Sequence, residues 1–207
     1  MRMRTLAGMI LFAAPLAALA GDAGGGTDRN VAARAAMQRS FKAHGQAGLD
    51  RLEQDDTQEA CSRHAPAPLP EARAAKVRAA NQALIRYPAD GQYLGDWKRG
   101  EAIAQQGTGL QYSDDPAQPS GGNCYACHQL SAKEIAYGTI GPSLYNYGKI
   151  RGRSETMLKL AWAMIYDMKT LSACSAMPRF GAKRILDEQQ LKDVMALLFD
   201  PDSPVNQ

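Results

Sequence analysis

The feature that most constrains this chain is the short run from Cys124 to His128, which reads Cys-Tyr-Ala-Cys-His. Thiols at this spacing can each form a thioether bond to one vinyl group of the same porphyrin, and the adjacent imidazole can then ligate its iron. One tight turn is enough to bring both sulfurs to one porphyrin edge. The motif therefore predicts one covalently bound haem c, attached through Cys124 and Cys127, with His128 as the proximal iron ligand.

Two other uses of closely spaced cysteines fit this chain less well. A zinc site would need a second Cys/His pair at related spacing, and the sequence offers none. A thioredoxin-like dithiol would lie in a βαβ unit, whereas the hydrophobic patterns of this chain are helical. Covalent attachment of haem is the interpretation that the sequence favours.

The beginning of the chain predicts export, in agreement with a haem that is attached outside the cytoplasm. Arg2 and Arg4 precede an uncharged apolar run that ends in Ala-Leu-Ala at Ala20. This run is shorter than the roughly 18–20 residues that a membrane span requires, and no later run is longer. We predict a signal peptide at residues 1–20, no membrane span and a periplasmic location.

The charge balance gives no support to a nucleic-acid partner. The chain carries 24 Lys and Arg against 21 Asp and Glu. The predicted signal peptide contains two of the arginines and no acid, so the mature chain is close to neutral. A nucleic-acid interface would need a concentrated basic patch, and we predict no such partner.

Residues 21–89 are predicted to form an N-terminal extension, and residues 90–207 the haem domain. Residues 21–30 look like a flexible lead-in, followed by an amphipathic helix from Val31 to about Leu52 with an interruption near Gly45 and Gly48. A second helix is expected from Pro70 to about Tyr87. These segments hold too few large apolar residues for a core of their own, so we expect them to wrap the haem domain or a partner.

Three capping residues predict the helices of the haem domain, namely Asp96, Ser154 and Asp187. Asp187 also forms a capping-box pattern with Gln190. No segment alternates in the manner of a β-strand, so the predicted fold is all-α. The expected helices run from Asp96 to about Gln106, from Ser154 to about Met168, and from Asp187 to a stop at Pro201.

The sixth iron ligand is predicted to be Met177. It stands in a loop between two expected helices, where Pro178 and Gly181 restrict the backbone, whereas the other mature methionines lie in helical patterns that favour core packing. A methionine ligand gives the low-spin electron-transfer arrangement and leaves no open position on the iron. The alternatives are His64 and His44, which both lie in the extension.

Two further groups are expected near the iron ligands. The carbonyl of Pro142 is our candidate to accept a hydrogen bond from His128 and so to fix the tautomer of the imidazole. Arg179 has three open interpretations, which are a partner of a haem propionate, a contact to another protein, and an ordinary solvated side chain.

The remaining cysteines, Cys61 and Cys174, are expected to form a disulfide, because leftover thiols in an oxidising compartment usually pair. This bond would tie the extension to the loop that carries Met177. The alternatives are a bond to a partner chain and a free reactive thiol.

Four segments together resemble the SoxX family, the small monohaem subunits of the SoxAX cytochrome complex of bacterial thiosulfate oxidation. The resemblance covers about residues 90–206, and Met-Pro-Arg-Phe-Gly at residues 177–181 is its most specific part. The extension departs from the shortest family members. The other matching segments are residues 122–128, 138–144 and 200–206.

The resemblance implies a class I-like cytochrome c domain with an N-terminal helical extension. It also implies a heterodimer with a SoxA-like cytochrome, which couples thiosulfate oxidatively to a cysteine of a SoxYZ-like carrier protein and so acts as a thiosulfotransferase. This chain would accept the electrons and pass them to a soluble cytochrome c, with no catalytic residue of its own. The competing hypotheses are a free diffusible cytochrome c and a catalytic haem enzyme such as a peroxidase.

Overall fold

The structure is a computed structural model that describes residues 25–207, with side chains from residue 29 onward. The predicted signal peptide, residues 1–20, lies outside the described residues. Within residues 25–207 there are helices and no β-strand, so the all-α prediction is confirmed. The α-helices are α1 (Gly25–Ser40), α2 (Asp56–His64), α3 (Glu71–Gln82), α4 (Trp97–Gln105), α5 (Tyr147–Arg151), α6 (Glu155–Asp167) and α7 (Glu188–Phe199). Short 3-10 helices occupy Leu49–Leu52, Cys124–Ala126, Met168–Thr170 and Pro204–Asn206.

Helix α1 belongs to a unit that ends at Phe41, separate from the compact unit Lys42–Gln207. The prediction for this region was wrong in its bounds, since the helix takes in residues 25–30 of the expected lead-in and ends at Ser40. It also presents no buried apolar face, because Val31 and Met37 are exposed. None of the helices in the described part of the chain combines the length and the apolar character needed to cross a membrane.

A tight turn replaces the second half of the helix that was expected to reach Leu52. His44 and Ala47 exchange backbone hydrogen bonds of 3.1 and 3.0 Å. Gly45 lies inside this turn at a φ of +54°, in the left-handed region that glycine adopts without strain. The chain is therefore not helical here and resumes only a short 3-10 turn at Leu49–Leu52.

Helices α2 and α3 form the part of the extension that lies in the larger unit. Helix α2, which the sequence reasoning missed, begins at a capping box in which Asp55 accepts from the Gln58 backbone N–H at 3.0 Å. Helix α3 follows Pro70 as predicted but ends at Gln82 rather than near Tyr87. Apolar residues of both α2 and α3 form a small cluster with Ala173. The buried members are Ala60, Ala74, Val77 and Ala173, with Leu69 packed against them.

The three predicted capping residues of the haem domain are confirmed. Asp96 accepts from the Lys98 N–H at 2.8 Å, Ser154 caps α6, and Asp187 forms the expected capping box at the start of α7. Helices α4, α6 and α7 enclose the main hydrophobic core. Its largest fully buried side chains are Trp162, Phe199, Leu130, Met195, Leu197 and Val205.

Helices α4 and α7 cross closely because a glycine lies at the crossing. A Cβ on Gly100 would stand 2.7 Å from the carbonyl carbon of Asp193 in α7, so no larger residue fits there without a shift. The Asp193 carboxylate also binds the Arg99 guanidinium, with Nε to Oδ2 at 2.8 Å. This contact fixes α4, which directly precedes the loop that leads to Cys124.

A disulfide joins Cys61 at the end of α2 to Cys174, as predicted. It links residues that are 113 positions apart in the sequence and so connects the extension to the segment before Met177. Residues 42–207 belong to one compact unit. The division of the chain near residue 89 stays a prediction.

Replacement of both Cys61 and Cys174 by serine is expected to lower the free energy of unfolding by about 3–5 kcal/mol, because a loop of 113 residues gains freedom in the unfolded chain. Guanidinium unfolding of the haem-loaded protein, followed by circular dichroism, measures this loss. Haem content should stay at the wild-type level, since Cys124 and Cys127 remain. An unchanged unfolding midpoint would contradict the prediction.

Candidate haem site

The attachment motif folds into one tight turn. Cys124–Ala126 form a 3-10 turn that is entered through Asn123 in a left-handed conformation. The backbone N–H groups of Cys127 and His128 both donate to the carbonyl of Cys124, at 3.1 and 2.9 Å. Neither motif cysteine is in a disulfide. The turn thus brings the two thiols and the imidazole together, as the predicted thioether and iron bonds require.

The imidazole of His128 is held by the acceptor that the sequence suggested. Its Nδ1 lies 2.7 Å from the Pro142 carbonyl oxygen. Because a carbonyl can only accept, Nδ1 carries the proton and Nε2 keeps its lone pair. That tautomer is the one required for ligation of iron through Nε2, and the hydrogen bond also fixes the orientation of the ring.

Two glycines that the sequence analysis did not single out shape the proximal side of the haem site. Gly141 donates to the Cys127 carbonyl at 2.8 Å, and a Cβ on it would stand 2.7 Å from Nε2 of His128. Gly138 donates to the Tyr125 carbonyl at 2.9 Å and approaches the motif equally closely. Only residues without side chains let this segment lie against the motif turn. Two glycines in a short segment after His128 were the sequence signal for this close approach of the chain to the motif.

Met177 lies in the loop between the 3-10 turn Met168–Thr170 and α7, where the sequence placed it. Its backbone N–H donates to the Ser175 hydroxyl at 3.1 Å, and its side chain packs against the main core, as does Cys124. Gly181 closes the loop against Tyr166, since its N–H donates to the Tyr166 carbonyl at 3.1 Å. Ligation of iron by Met177 stays a prediction.

The two histidine alternatives occupy other elements. His64 is the last residue of α2. His44 forms the tight turn with Ala47, and its ring meets Tyr112 edge-on with centroids 5.4 Å apart.

Arg179 is not the solvated side chain that was one of its three interpretations. It is only 7% exposed and forms an ion pair with Asp55, the capping residue of α2. It also donates to Asn81 in α3, at 3.4 Å. The sequence reasoning missed Asp55 and Asn81. An Asp-x-x-Gln capping pattern at Asp55 was the available signal for the first of them.

The chemistry of the donor set fits a haem c. Burial raises the pKa of Cys124 to about 12, so its sulfur lies in apolar surroundings that accept a neutral thioether and disfavour a thiolate. His128 offers a free Nε2, and Met177 offers a soft thioether from a partly buried position. Cys124 and Cys127 would hold the haem and His128 and Met177 its iron, which supplies one-electron redox chemistry when bound.

Comparison with known proteins agrees with this site. Residues 98–199 match the sequence profile of the Cytochrome c family. The chain is also 36% identical over 156 residues to a protein of Aquifex aeolicus (strain VF5) described as an uncharacterized lipoprotein, a match that covers 74% of this chain and 73% of the relative. This chain contains a cytochrome c domain at residues 98–199, and it carries a covalently bound haem c.

Proposed function

We propose that this protein is the electron-transfer subunit of a periplasmic SoxAX-like complex. The observation that carries the proposal is the segment Met177 to Gly181, which has the family-specific sequence Met-Pro-Arg-Phe-Gly. Each part of that segment has a defined place: Met177 packs on the main core, Arg179 is buried against Asp55, and Gly181 lies against Tyr166. The cytochrome c family alone does not require this combination.

An apolar surface beside the attachment motif supports a permanent protein partner. Ile135, Tyr137 and Ile140 are all exposed, and Ile140 keeps 79% of its accessible surface. They lie on the segment that Gly138 and Gly141 hold against the motif turn. A contiguous exposed apolar patch marks an interaction site, and we propose that these three side chains contribute to one. We propose that a SoxA-like cytochrome binds at this surface.

The proposed reaction requires a one-electron acceptor. Coupling of a carrier cysteine thiol to thiosulfate forms one sulfur–sulfur bond and releases one proton and two electrons. This chain would take those electrons one at a time from the SoxA-like subunit and pass each to a soluble cytochrome c. The carrier would be SoxYZ-like, and the transferase chemistry would belong to the complex, since this chain is assigned electron transfer alone.

A free diffusible carrier is the alternative function that the family match by itself supports. Purification of the native protein separates the two possibilities. We expect it to elute from size exclusion with a second c-type cytochrome, and its haem to become reduced when thiosulfate and the carrier protein are added together. Elution as a lone species of about 20 kDa, with no reduction under these conditions, would contradict the proposal.

Ile140→Asp is expected to weaken the complex by about tenfold or more, because a charge would enter the apolar contact. Ile150→Asp, which changes an equally apolar and exposed residue on α5, is the matched control and should leave the affinity unchanged. Titration of each variant with the isolated SoxA-like subunit, followed by calorimetry, measures the difference. Equal affinities for the two variants would exclude this surface as the interface.

A further inference from the structure

We propose that Asp55 is a positioning residue for the sixth ligand, because its ion pair with Arg179 holds the Met177 loop in the conformation that ligates iron. The inference rests on the proposed ligation by Met177. It assigns to the N-terminal extension a direct role in the haem chemistry. Asp55 lies 124 positions before Arg179 in the sequence, at the start of a helix that carries neither His128 nor Met177.

The extension contacts the Met177 loop on both sides of the methionine. Ala173 packs in the small cluster formed by α2 and α3, and Cys174 is bonded to Cys61. Arg179, two residues after Met177, binds Asp55. Met177 itself packs on the main core. The loop is therefore fixed at both ends by the extension, while its central side chain faces the haem domain.

The arginine is held by α2 and α3 of the extension. Its second guanidinium nitrogen donates to the side-chain oxygen of Asn81 in α3. Asn81 in turn donates to the Thr57 hydroxyl in α2 at 2.9 Å and to the Val77 carbonyl at 2.8 Å. A buried guanidinium without its carboxylate is strongly unfavourable, so loss of Asp55 would push the arginine and its loop toward water.

Asp55 has two separable tasks. Its Oδ1 caps α2 by accepting from the Gln58 N–H at 3.0 Å, while its Oδ2 binds Arg179 and, at 2.8 Å, the Lys183 ammonium. Asparagine is as good a helix cap as aspartate but carries no charge. Asp55→Asn therefore keeps the cap of α2 and removes the ion pairs.

The chain offers a matched control for this substitution. Asp187 forms the same capping box at the start of α7, where it accepts from the Gln190 N–H at 2.8 Å, and it has no arginine partner among the residues that the structure describes. Asp187→Asn makes the same chemical change at the start of α7, the helix that follows the Met177 loop, and leaves the ion pair between Asp55 and Arg179 in place.

Imidazole binding to the ferric, haem-loaded protein tests the proposal, because the added ligand must displace Met177. Loss of a charge-assisted hydrogen bond should loosen the loop enough to increase the imidazole affinity of Asp55→Asn by about tenfold. Asp187→Asn should bind imidazole as the wild type does. A wild-type affinity for Asp55→Asn, or an equal increase in both variants, would overturn the assignment of Asp55.

A Met177→Ala background distinguishes failure of this inference from failure of the proposed ligation. If Met177 is the ligand, Met177→Ala alone binds imidazole much more tightly, and adding Asp55→Asn has no further effect. A further increase in the double variant would show that Asp55 acts on the pocket in general, which overturns the inference. An unchanged affinity in Met177→Ala would instead refute the ligation itself.

The pH dependence of the free energy of unfolding gives a second test of the role of Asp55. Burial raises the pKa of Asp55, but hydrogen bonds from Lys183 and Arg179 outweigh this and hold it well below its ordinary value of 3.8. The other charged groups nearby are Asp167, whose pKa is raised by burial, and Lys169, whose pKa is lowered by burial. Because the pKa of Asp55 is depressed by folding, its stabilisation is complete above 3.8 and is lost as the pH falls below it.

The difference in stability between wild type and Asp55→Asn should therefore be largest near neutral pH and should narrow below about pH 4. Urea unfolding at a series of pH values measures it. A difference that stays constant from pH 7 to pH 3 would overturn a role for the Asp55 charge.

Discussion

Met177→Ala is expected to abolish the far-red sulfur-to-iron charge-transfer band of the ferric protein and to lower its reduction potential by on the order of 100 mV. A thioether favours the ferrous state, and its loss leaves water or a harder ligand on the iron. Visible and near-infrared spectra, together with a potentiometric titration, measure both changes. The loop should keep its fold, because Met177 is only partly buried and the disulfide and Arg179 hold the segment independently.

Met164→Ala is the matched control for this experiment. Met164 also packs, partly buried, against the main core, but it lies in α6 and is not a proposed ligand. The Met164→Ala variant should have a lower free energy of unfolding, with the charge-transfer band and the reduction potential unchanged. Survival of the band in Met177→Ala would refute the axial assignment, and parallel substitutions of His64 and His44 would then identify the ligand.

Gly141→Ala is expected to disturb the proximal side of the haem site as severely as Met177→Ala disturbs the opposite side. A Cβ at this position would overlap the imidazole ring of His128, standing 2.7 Å from Nε2, and would separate the ring from the Pro142 carbonyl. We expect a reduced haem content per chain, a partly high-spin spectrum, and a loss of about 1–3 kcal/mol in the free energy of unfolding. Absorbance per polypeptide and guanidinium unfolding measure these quantities.

Gly107→Ala provides the comparison. Its Cβ would stand 3.2 Å from the end of the flexible Asn123 side chain, which can move. This variant should load haem normally. Equal haem content and spectra in Gly141→Ala and wild type would show that the close approach at His128 is not required.

Local signals made the haem domain predictable. Each helix cap is a hydrogen bond between a side chain and a backbone N–H two or three residues away, at Asp96, Ser154 and Asp187. Because both partners are neighbours in the sequence, these caps can be predicted from it. The motif turn and the proximal loop are local in the same sense, because His128 and Pro142 are only 14 positions apart.

The contacts of the extension were not predictable in this way. Arg179 finds its carboxylate 124 positions earlier, and nothing near it in the sequence indicates whether it is buried or solvated. Helix α2 has few large apolar residues, so its periodicity is weak and only its capping box would have indicated it. The disulfide was foreseen for another reason, since four cysteines less two for the haem leave one pair.

The placement of the four cysteines also constrains how the protein matures. Four thiols can form a single disulfide in six ways, and only one of these connects Cys61 with Cys174 and leaves both motif thiols reduced. The exported chain thus needs an oxidant to form the Cys61–Cys174 bond. Cys124 and Cys127 must at the same time be protected from that oxidant. Before haem is attached, burial raises the pKa of Cys124 and so disfavours the thiolate that exchanges with disulfides. Formation of the Cys61–Cys174 bond before haem attachment would keep the attachment pair free from scrambling.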